Sequence, residues 1–492
     1  YMDDRWGVAK DPIHNMWQCV DQVHIDLQGG VRSAKPAPDW GVCPGPSFGA
    51  EMRKLTKGVP QGLIACAHGG TSMPQWDPKL KKAGGKSLYG AMVRRLQKNG
   101  GRVAGMIWYQ GCSDCFDGAA QLYTERMKEF VSALRRDCQN KELPIVIVQI
   151  ARVISWAEEQ KHFWNMVQEQ QRLLAYRIKN LQTVPVIDLP LDDTIHISGE
   201  SQAVLGGRMA QAMEVLRGNR QAGLPPITLE STEIEETRCL GVVVAKFGNV
   251  MGGLQAGSRP SGFAITSDVS TDNIFDTVID GDTVRIRTTM APADLSMAML
   301  HYGFGYNPYC NITDKAGRSL PVFGPIALGK PRAITSFIRS WEISDFKPSA
   351  GDLTSLKYPA EIVKSSLEKR TFSDNFCLLH PEIAARGNKD EVIYFVTTFN
   401  CASEMRLNLV LGYDGPVKAW VNGRKVFHDP SGTNPATPQK GVGAFKAKAG
   451  DHELVVALGT NSGNAWGIYV RLERLGVSAK ALRDVTYELP SI

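Results

Sequence analysis

Long apolar runs are absent from this sequence. A membrane-spanning helix needs about 20 consecutive, mostly apolar residues, and no segment of the chain approaches that length. We therefore predict no membrane span. Dense clusters of Lys and Arg beside aromatic residues are also absent, and a net charge of +6 is small for 492 residues. Because nucleic-acid-binding proteins concentrate positive charge on one surface, a nucleic-acid partner is not expected.

Closely spaced cysteines are scarce as well. The 10 cysteines are spread along the chain, and the single close pair is Cys112 and Cys115. A zinc site would need a second pair at similar spacing, so we expect no metal, and nothing in the sequence calls for an organic cofactor. Scattered buried thiols or a few disulfides account for the remaining cysteines, and their number leaves the cellular compartment open.

A leader segment is not visible, and the chain begins at Tyr1. We therefore expect a processed or incomplete form of the protein. The length predicts about two to four domains. Residues 1–60 contain many Gly, Pro and Trp residues with little periodicity, which predicts long loops. Trp6, Trp17 and Trp40 are interpreted as packing anchors of those loops.

From residue 62 onward, short apolar runs recur at intervals of about forty residues, and such runs are typical of strands buried on both faces. They lie at Gly62–Ala67, Val103–Tyr109, Pro144–Ile150 and Pro185–Leu189. Apolar stripes at helical spacing fill the intervals. Alternation of strand and helix predicts an α/β fold class, a parallel sheet with helices on its faces, over residues 1–218.

A polar linker rich in Gly and Pro follows, and beyond it the helical period gives way to alternating runs of period two. This pattern predicts antiparallel β-sandwich modules. A second break near residue 350 divides them into 226–346 and 352–492. Asn422-Gly423 lies between two such runs and predicts a tight hairpin.

Asp193 and His196 directly follow the last predicted parallel strand. Catalytic groups collect where parallel strands end, and a carboxylate three residues before an imidazole could orient the ring as a general base. The alternative is that Asp193 and Ser198 only cap the helix that follows. Two other strand ends carry His68-Gly69-Gly70-Thr71-Ser72 and Gln110-Gly111-Cys112-Ser113-Asp114. Amides converging there would form an oxyanion hole.

These three segments, Gly69-Gly70-Thr71, Trp108 to Asp114 and Asp193 to His196, resemble sequence blocks of the sialate O-acetylesterase-like carbohydrate esterases, members of the SGNH hydrolase superfamily. The resemblance covers about residues 1–218. It implies an SGNH, flavodoxin-like three-layer domain and ester hydrolysis by a serine nucleophile. It also implies His196 as base, Asp193 as the residue that orients it, and Gly70, Gln110 and Gly111 as oxyanion ligands.

Two departures from the family pattern concern the nucleophile. The block that carries the family's serine has no match, and Cys112 occupies a position that is usually acidic. Removal of a central first strand would expose sheet edges, so we expect an upstream fragment to supply both strand and serine. Ser47, Ser72 and Ser113 are poor substitutes. Cys112 is an alternative nucleophile, although a packing role for this thiol is also open. The nucleophile is therefore unknown at this stage.

Aromatic residues beside the candidate site, Trp76, Trp108 and Tyr109, are candidates for stacking on a sugar ring, while at least one of them is expected to pack under the loops. Trp420 and Trp466 are interpreted as sandwich core, with sugar binding as the alternative. We thus expect a secreted or periplasmic esterase that acts on acetylated sugars. The alternative is a catalytically inactive SGNH-fold protein with a carbohydrate-binding or structural role. The sequence specifies neither the sugar nor the oligomeric state.

Overall fold

The structure is a computed structural model that describes the following ranges of the chain. They are residues 8–9, 42–154, 161–236, 240–267, 273–290, 292–329, 332–349, 351–363, 365, 367–478, 481–482 and 486–492. Trp6, Trp17 and Trp40, interpreted above as packing anchors, lie outside these ranges.

A parallel sheet of three strands forms the centre of the first domain. The strands are β1 (Met106–Trp108), β2 (Ile145–Gln149) and β3 (Leu181–Pro185), hydrogen-bonded in that order. Met106 pairs with Ile145, which in turn pairs with Leu181. Every residue of β2 is buried, because helices cover the sheet on both sides. This is the parallel α/β arrangement predicted from the spacing of the apolar runs.

In the described part of the domain, five helices surround the sheet. They are α1 (Gly45–Leu55), α2 (Leu88–Lys98), α3 (Tyr123–Asp137), α4 (Lys161–Arg177) and α5 (Gly199–Leu216). Helices α1 and α5 share one hydrophobic core with alternate residues of β2 and β3, and α2, α3 and α4 share a second core with the remaining strand residues. Short 3₁₀ helices lie at Met73–Trp76, Pro78–Lys86, Cys112–Asp114 and Ala120–Leu122. The domain is thus built of three layers, while its SGNH assignment stays a prediction of the sequence.

Three local predictions for this domain were wrong. Residues 1–60 were expected to be loops, but 45–55 form α1. The run at 62–67 is not a strand, because no strand lies beside it among the described residues and a strand needs a hydrogen-bonded neighbour. The last parallel strand ends at Pro185 instead of beginning there. Its end is set by a turn in which the N–H of Leu189 donates to the carbonyl of Val186 at 3.1 Å.

The next part of the chain is made of antiparallel sheets. Strands β4 (Thr228–Glu236), β5 (Gly241–Gly248), β8 (Ile274–Asp280) and β9 (Thr283–Thr288) form a sheet in the order β4-β5-β9-β8. Strands β7 (Phe263–Thr266), β10 (Met299–Tyr302) and β12 (Phe323–Ala327) form a second, and β6 (Leu254–Ala256) pairs with β11 (Ile312–Asp314). A short helix, α6 (Pro292–Leu295), lies between β9 and β10. One hydrophobic core joins these sheets.

The last module consists of two larger sheets. One contains β13 (Ala333–Ile334), β17 (Cys377–Leu378), β19 (Met405–Tyr413), β22 (Gly441–Ala447) and β24 (Gly467–Arg474). The other contains β14 (Ser340–Ile343), β15 (Lys347–Pro348), β16 (Glu368–Thr371), β18 (Glu391–Cys401), β20 (Val417–Val421), β21 (Arg424–Asp429) and β23 (Gly450–Gly459). Short helices α7 (Ala360–Val363) and α8 (His380–Ala384) complete it. Side chains from both sheets form a common core.

Strand pairing bears on the predicted domain limits. Strands β13 and β14 lie before the predicted break near residue 350, yet they pair with β24, β16 and β18 of the last module. The limits 1–218, 226–346 and 352–492 stay predictions, and the pairing places residues 333–343 with the last module. The hairpin between β20 and β21 turns at Asn422 and Gly423, both with positive φ of 49° and 74°, as its sequence predicts.

The α/β domain and the second module are joined through buried side chains. Gln149, at the end of β2, donates to the carbonyl of Val322 at 2.8 Å and accepts the N–H of Val322 at 2.9 Å. Arg208 on α5 forms an ion pair with Asp188 at 2.6 Å and also donates to the carbonyl of Gly317. Buried polar groups need hydrogen-bond partners. Here the α/β domain and the second module supply partners to each other.

None of the helices in the described part of the chain is long and apolar enough to cross a membrane.

Candidate active site

The segment from Pro190 to Ser198 forms a closed loop between β3 and α5. The N–H of Asp192 donates to the carbonyl of His196 at 3.0 Å, and the N–H of Ser198 donates to the carbonyl of Pro190 at 2.9 Å. Leu191 and Ile197 form an isolated antiparallel bridge across it. The loop therefore has a defined shape, with its tip held beyond the carboxyl end of the sheet.

Asp193 and His196 are in direct contact at this tip. Nδ1 of His196 lies 2.7 Å from Oδ2 of Asp193, and Oδ1 accepts the N–H groups of Ile195 at 2.8 Å and His196 at 2.7 Å. Desolvation acts to raise the pKa of Asp193, but the hydrogen bonds from His196 and Ile195 outweigh it and lower that pKa to about 2. The carboxylate is therefore ionised near neutral pH.

The helix-capping alternative applies to other residues of the loop. Ser198 caps α5, because its Oγ accepts the N–H of Ser201 at 3.2 Å. Asp192 accepts the N–H of Gly199 at 2.9 Å. Asp193 makes no hydrogen bond to the helix among the described residues, so its carboxylate is committed to the imidazole and to its own turn.

The ring of His196 is open to solvent on its other side. Its side chain is 74% exposed, and that of Asp193 is 52% exposed. Within the described ranges no residue other than Asp193 hydrogen-bonds the ring. A carboxylate at Nδ1 stabilises the tautomer that leaves Nε2 unprotonated. This arrangement can take a proton at Nε2 from a group placed above the loop.

The side chain of Gln110, which follows β1, links the segment after β1 to the Gly69-Gly70-Thr71 segment. Its Nε2 donates to the carbonyl of Thr71 at 2.9 Å and to Oδ2 of Asp114 at 2.6 Å. The Gly69-Gly70-Thr71 segment and the segment after β1 therefore lie together, as the sequence predicts. Both amide hydrogens of Gln110 are used in these contacts, so an oxyanion contact through this side chain would require one of them to be released.

Asp114 is the centre of this linkage. Its carboxylate is buried and also accepts the N–H of Met73 at 3.0 Å. Arg126 lies 3.7 Å away. Burial raises the pKa of Asp114, against the lowering effect of the bonds from Gln110 and Met73 and of Arg126. The sequence analysis included Asp114 in a motif but did not predict that it links the segment after β1 to the chain at Thr71 and Met73.

Gln171 on α4 was missed by the sequence reasoning. Its Nε2 donates to the carbonyl of Gln110 at 2.9 Å, and its Oε1 accepts the N–H of Ile150 at 2.9 Å. It thereby holds the chain after β1 against the chain after β2. The glutamines Gln168, Gln170 and Gln171, which lie close together between apolar residues of α4, are the signal that could have indicated such a role.

Two glycines shape the candidate oxyanion region. Gly111 has φ +152°, and a Cβ there would lie 2.7 Å from Nε2 of Gln171 and 2.9 Å from Ile150, so only glycine fits. Gly70 has φ +65°, and a Cβ there would meet no atom within 4 Å. The backbone at Gly70 therefore borders open space. The oxyanion role of Gly70, Gln110 and Gly111 stays a prediction.

The loop that carries Asp193 and His196 is hydrogen-bonded to the chain that follows β2. That part of the chain is in turn hydrogen-bonded to the second module. The N–H of Ile154 donates to the carbonyl of Thr194 at 2.7 Å, and the N–H of Val153 donates to the carbonyl of Tyr306 at 2.9 Å. Asn165 on α4 bonds the backbone of Gly305 at 2.8 Å. A loop of the second module is thus part of the surroundings of the candidate site.

Comparison with known proteins shows the family to which the domain with this site belongs. Residues 1–215 match the family model described as carbohydrate esterase, sialic acid-specific acetylesterase. A probable carbohydrate esterase of Arabidopsis thaliana is 31% identical over 217 residues, which are 43% of this chain and 71% of that protein. The chain belongs to this carbohydrate esterase family.

Solved structures also resemble the chain. A carbohydrate acetylesterase from Xanthomonas citri is 24% identical and matches over 57% of this chain with a TM-score of 0.48. The match spans 64% of the length of that protein. The crystal structure of a protein from Arabidopsis thaliana is 31% identical, with 37% of this chain and 71% of that chain covered and a TM-score of 0.31.

The aromatic residues predicted to bind substrate lie mostly inside this esterase domain. Trp76 is 3% exposed, and its Nε1 donates to Oγ1 of Thr71 at 3.0 Å. Trp108 is buried too, with its ring centroid 5.1 Å from that of Trp76 in an edge-to-face contact. Tyr109 is half-buried. Burial favours the packing alternative for the two tryptophans, while substrate contact by all three residues stays a prediction.

The nucleophile candidates of the esterase are placed as follows. Ser47 lies at the start of α1 rather than in a loop, and its Oγ donates to the carbonyl of Pro44 at 3.1 Å. The Oγ of Ser72 lies 3.3 Å from Oε1 of Gln75, and Ser113 lies in a 3₁₀ turn. Burial raises the pKa of the Cys112 thiol to about 12, so this thiol is protonated at neutral pH and fits a packing role.

Groups of three or more His, Cys, Asp or Glu side chains arranged to hold a metal ion are not found in the described part of the esterase.

Proposed function

We propose that this protein hydrolyses acetyl esters on carbohydrates through an acyl-enzyme on a serine, with His196 as the general base. One observation carries the proposal, namely the 2.7 Å contact between Nδ1 of His196 and Asp193, made at the carboxyl end of a parallel sheet and with Nε2 accessible. Membership of the carbohydrate esterase family supports the substrate class.

The reaction has two steps. A serine Oγ attacks the acetyl carbonyl carbon while its proton passes to Nε2 of His196. The tetrahedral intermediate then collapses, the bond to the sugar oxygen breaks, and the imidazolium returns the proton to that oxygen. Water, deprotonated by the same nitrogen, next attacks the acyl-enzyme. Acetate leaves, and the serine takes back the proton.

Asp193 takes part in these reaction steps through the imidazole of His196. Its carboxylate binds the Nδ1 proton and stabilises the imidazolium that forms when Nε2 is protonated. The two backbone N–H groups that bind Oδ1 prevent the carboxylate from turning away. The base is therefore oriented before substrate arrives, which is the condition for efficient general-base catalysis.

Charge on the acetyl oxygen is stabilised, in this proposal, by backbone amides of Gly70 and Gly111. Gln110 fixes the relative position of the two glycine segments through its bonds to Thr71 and Asp114. Donors held in place before reaction stabilise a developing oxyanion without reorganisation. The open space at Gly70 supports this assignment.

The substrate is proposed to be an acetylated sugar, with sialic acid esters as the narrower class suggested by the family description. A secreted or periplasmic location is consistent with extracellular glycans as substrates and stays part of the proposal.

A second candidate function is that of a catalytically inactive member with a carbohydrate-binding or structural role. The observation that favours it is that, within the described ranges, no serine hydroxyl is hydrogen-bonded to His196. Cys112, at a position that is acidic in the resembling esterases, favours it as well.

Labelling with a fluorophosphonate separates the two candidates. The full-length protein is incubated with the reagent, its intact mass is measured, and any adduct is located by peptide mapping. Active esterase is expected to gain one adduct on a serine, to lose acetate release from acetylated sugars in parallel, and to lose labelling in a His196→Ala variant. A correctly folded protein that neither takes up label nor releases acetate would contradict the hydrolase proposal.

A further inference from the structure

Trp466 is unusual among the tryptophans of the last module. It directly precedes β24 and is 47% exposed, so its interpretation as sandwich core was wrong. Trp420 is 3% exposed and lies in a hydrophobic cluster, as the sequence predicts. Burial of a large aromatic side chain is favourable by roughly 25 cal/mol per Å² of apolar area. An exposed tryptophan ring forgoes this stabilisation and leaves a flat apolar surface open to a ligand.

The exposed ring is held rigidly. The backbone N–H of Trp466 donates to Oδ1 of the buried Asp414 at 2.8 Å, and its carbonyl accepts the N–H of Leu379 at 2.7 Å. The ring of His380 stacks on the indole at 4.5 Å between centroids, with an interplanar angle of 22°. Since His380 covers one face, the exposed area of the indole belongs to the opposite face and the edge.

Exposed neutral polar residues lie in the loop that carries this ring and in the segment bonded to that loop. Asn464 lies two residues before it in the same loop, and Nδ2 of Asn434 donates to the carbonyl of Asn464 at 3.0 Å. Both asparagines and Thr433 are exposed. Amide and hydroxyl groups that can both donate and accept are therefore exposed in the two segments that meet at Asn464.

We propose that Trp466 is the platform of a carbohydrate-binding site in the last module, with Asn434 and Asn464 as hydrogen-bonding partners. A pyranose ring has a face of C–H groups that packs on an indole and a rim of hydroxyls that pairs with amides. The neutral side chains at the rim match an uncharged sugar. The rigid hold on Trp466 keeps the entropic cost of binding low. This site does not depend on the proposed hydrolysis.

Affinity electrophoresis of the full-length protein tests the site. Native gels contain soluble xylan, glucomannan or mixed-linkage β-glucan, each free of acetyl groups, so that migration reports binding and not ester hydrolysis. At least one glycan is expected to retard the protein. Trp466→Ala is expected to weaken that affinity by at least about tenfold, because central tryptophans dominate binding sites. The affinity of Trp466→Phe is expected to lie between those of the unmodified protein and Trp466→Ala.

Phe275→Ala is the matched control, since Phe275 is 50% exposed in the second module and its variant should migrate as the unmodified protein does. Thermal unfolding of each variant checks the fold, and Trp466→Phe keeps the test valid if Trp466→Ala unfolds. Absence of retardation in all three gels would overturn the proposal. Retardation that Trp466→Ala and Trp466→Phe retain in full would overturn it as well.

Discussion

The carboxylate of Asp193 binds both the ring and the backbone of His196. Nδ1 of the imidazole lies 2.7 Å from one carboxylate oxygen, and the N–H of the same residue donates to the other oxygen at 2.7 Å. A four-residue turn therefore builds an oriented imidazole out of local contacts alone. This pairing is the basis of the first three predictions.

Replacement of His196 by Ala should lower kcat/KM for acetylated sugars by about 10²- to 10⁴-fold, the usual contribution of a general base. His428→Ala is the control, because His428 is a half-buried histidine of the last module whose Nε2 lies 3.1 Å from the carbonyl of Asp352. Acetate release is the measurement. An equal loss in both variants would argue against a specific role for His196.

Asp193→Asn should reduce kcat by about 10²-fold or more, because an amide NH₂ facing Nδ1 stabilises the wrong tautomer of the ring. KM should change little. Asp192→Asn makes the same change of charge one residue away, where the carboxylate accepts the N–H of Gly199. That variant is expected to change stability little, because the amide oxygen of Asn can accept the same N–H, and to keep most of its kcat.

The pH dependence of stability should reflect the low pKa of Asp193. A folded pKa of about 2 lies below the usual value of about 3.9. Its stabilising contribution is therefore present above about pH 4 and is lost as pH falls toward 2. The Tm difference between the unmodified protein and Asp193→Asn should shrink as pH falls from 4 toward 2. A difference that stays unchanged over that acid range would refute this assignment.

Gln110→Ala should destabilise the protein more at pH 7 than at pH 4. The raised pKa of Asp114 means that its protonated form favours folding, so this contribution is present at low pH and lost as pH rises through the folded pKa. Loss of the bond from Gln110 removes a group that lowers this pKa and leaves the carboxylate less compensated. Thermal unfolding at both pH values is the measurement, with the exposed Gln121 replaced by Ala as the control.

Gly111→Ala should destabilise the domain by about 1–3 kcal/mol, because the new Cβ would lie 2.7 Å from Nε2 of Gln171. The same substitution at Gly207, within α5, meets no atom within 4 Å. It should be neutral or stabilising, since Ala has the higher helix propensity. Chemical denaturation measures both. Equal stabilities of the two variants would contradict the packing described around Gly111.

The sequence predicted what is local and missed what is assembled from distant parts. Asp193 and His196 are three residues apart, so their contact needs only a turn. The apolar run at 62–67 was taken for a strand because composition does not show whether a neighbouring strand is available. The glutamines of α4 indicate a polar role, but the partners of Gln171 depend on how α4 packs across two strand ends, and no local pattern specifies that packing.

Burial explains the remaining differences. Trp76 and Trp466 look alike as single residues in a sequence, but one lies under the loops and the other at the surface. The strands of the last module were recognised from their period of two, whereas the pairing of β13 and β14 with β24 and β18 joins residues far apart in the chain. Such pairing becomes visible only in the folded molecule.

The reciprocal bonds between Gln149 and Val322 have a consequence for how such multidomain chains diversify. The end of the central strand β2 uses a buried amide to bind the backbone of the second module. That module is therefore part of the packing around the α/β domain. Recombination that attached a different module at the linker would leave Oε1 of Gln149 without the N–H of Val322, at a cost of about 1–3 kcal/mol, while Nε2 would keep its bond to the carbonyl of Gln168. The two parts are therefore expected to have been inherited and refined as one unit, and an exchange of modules would have to bring its own counterpart to Val322.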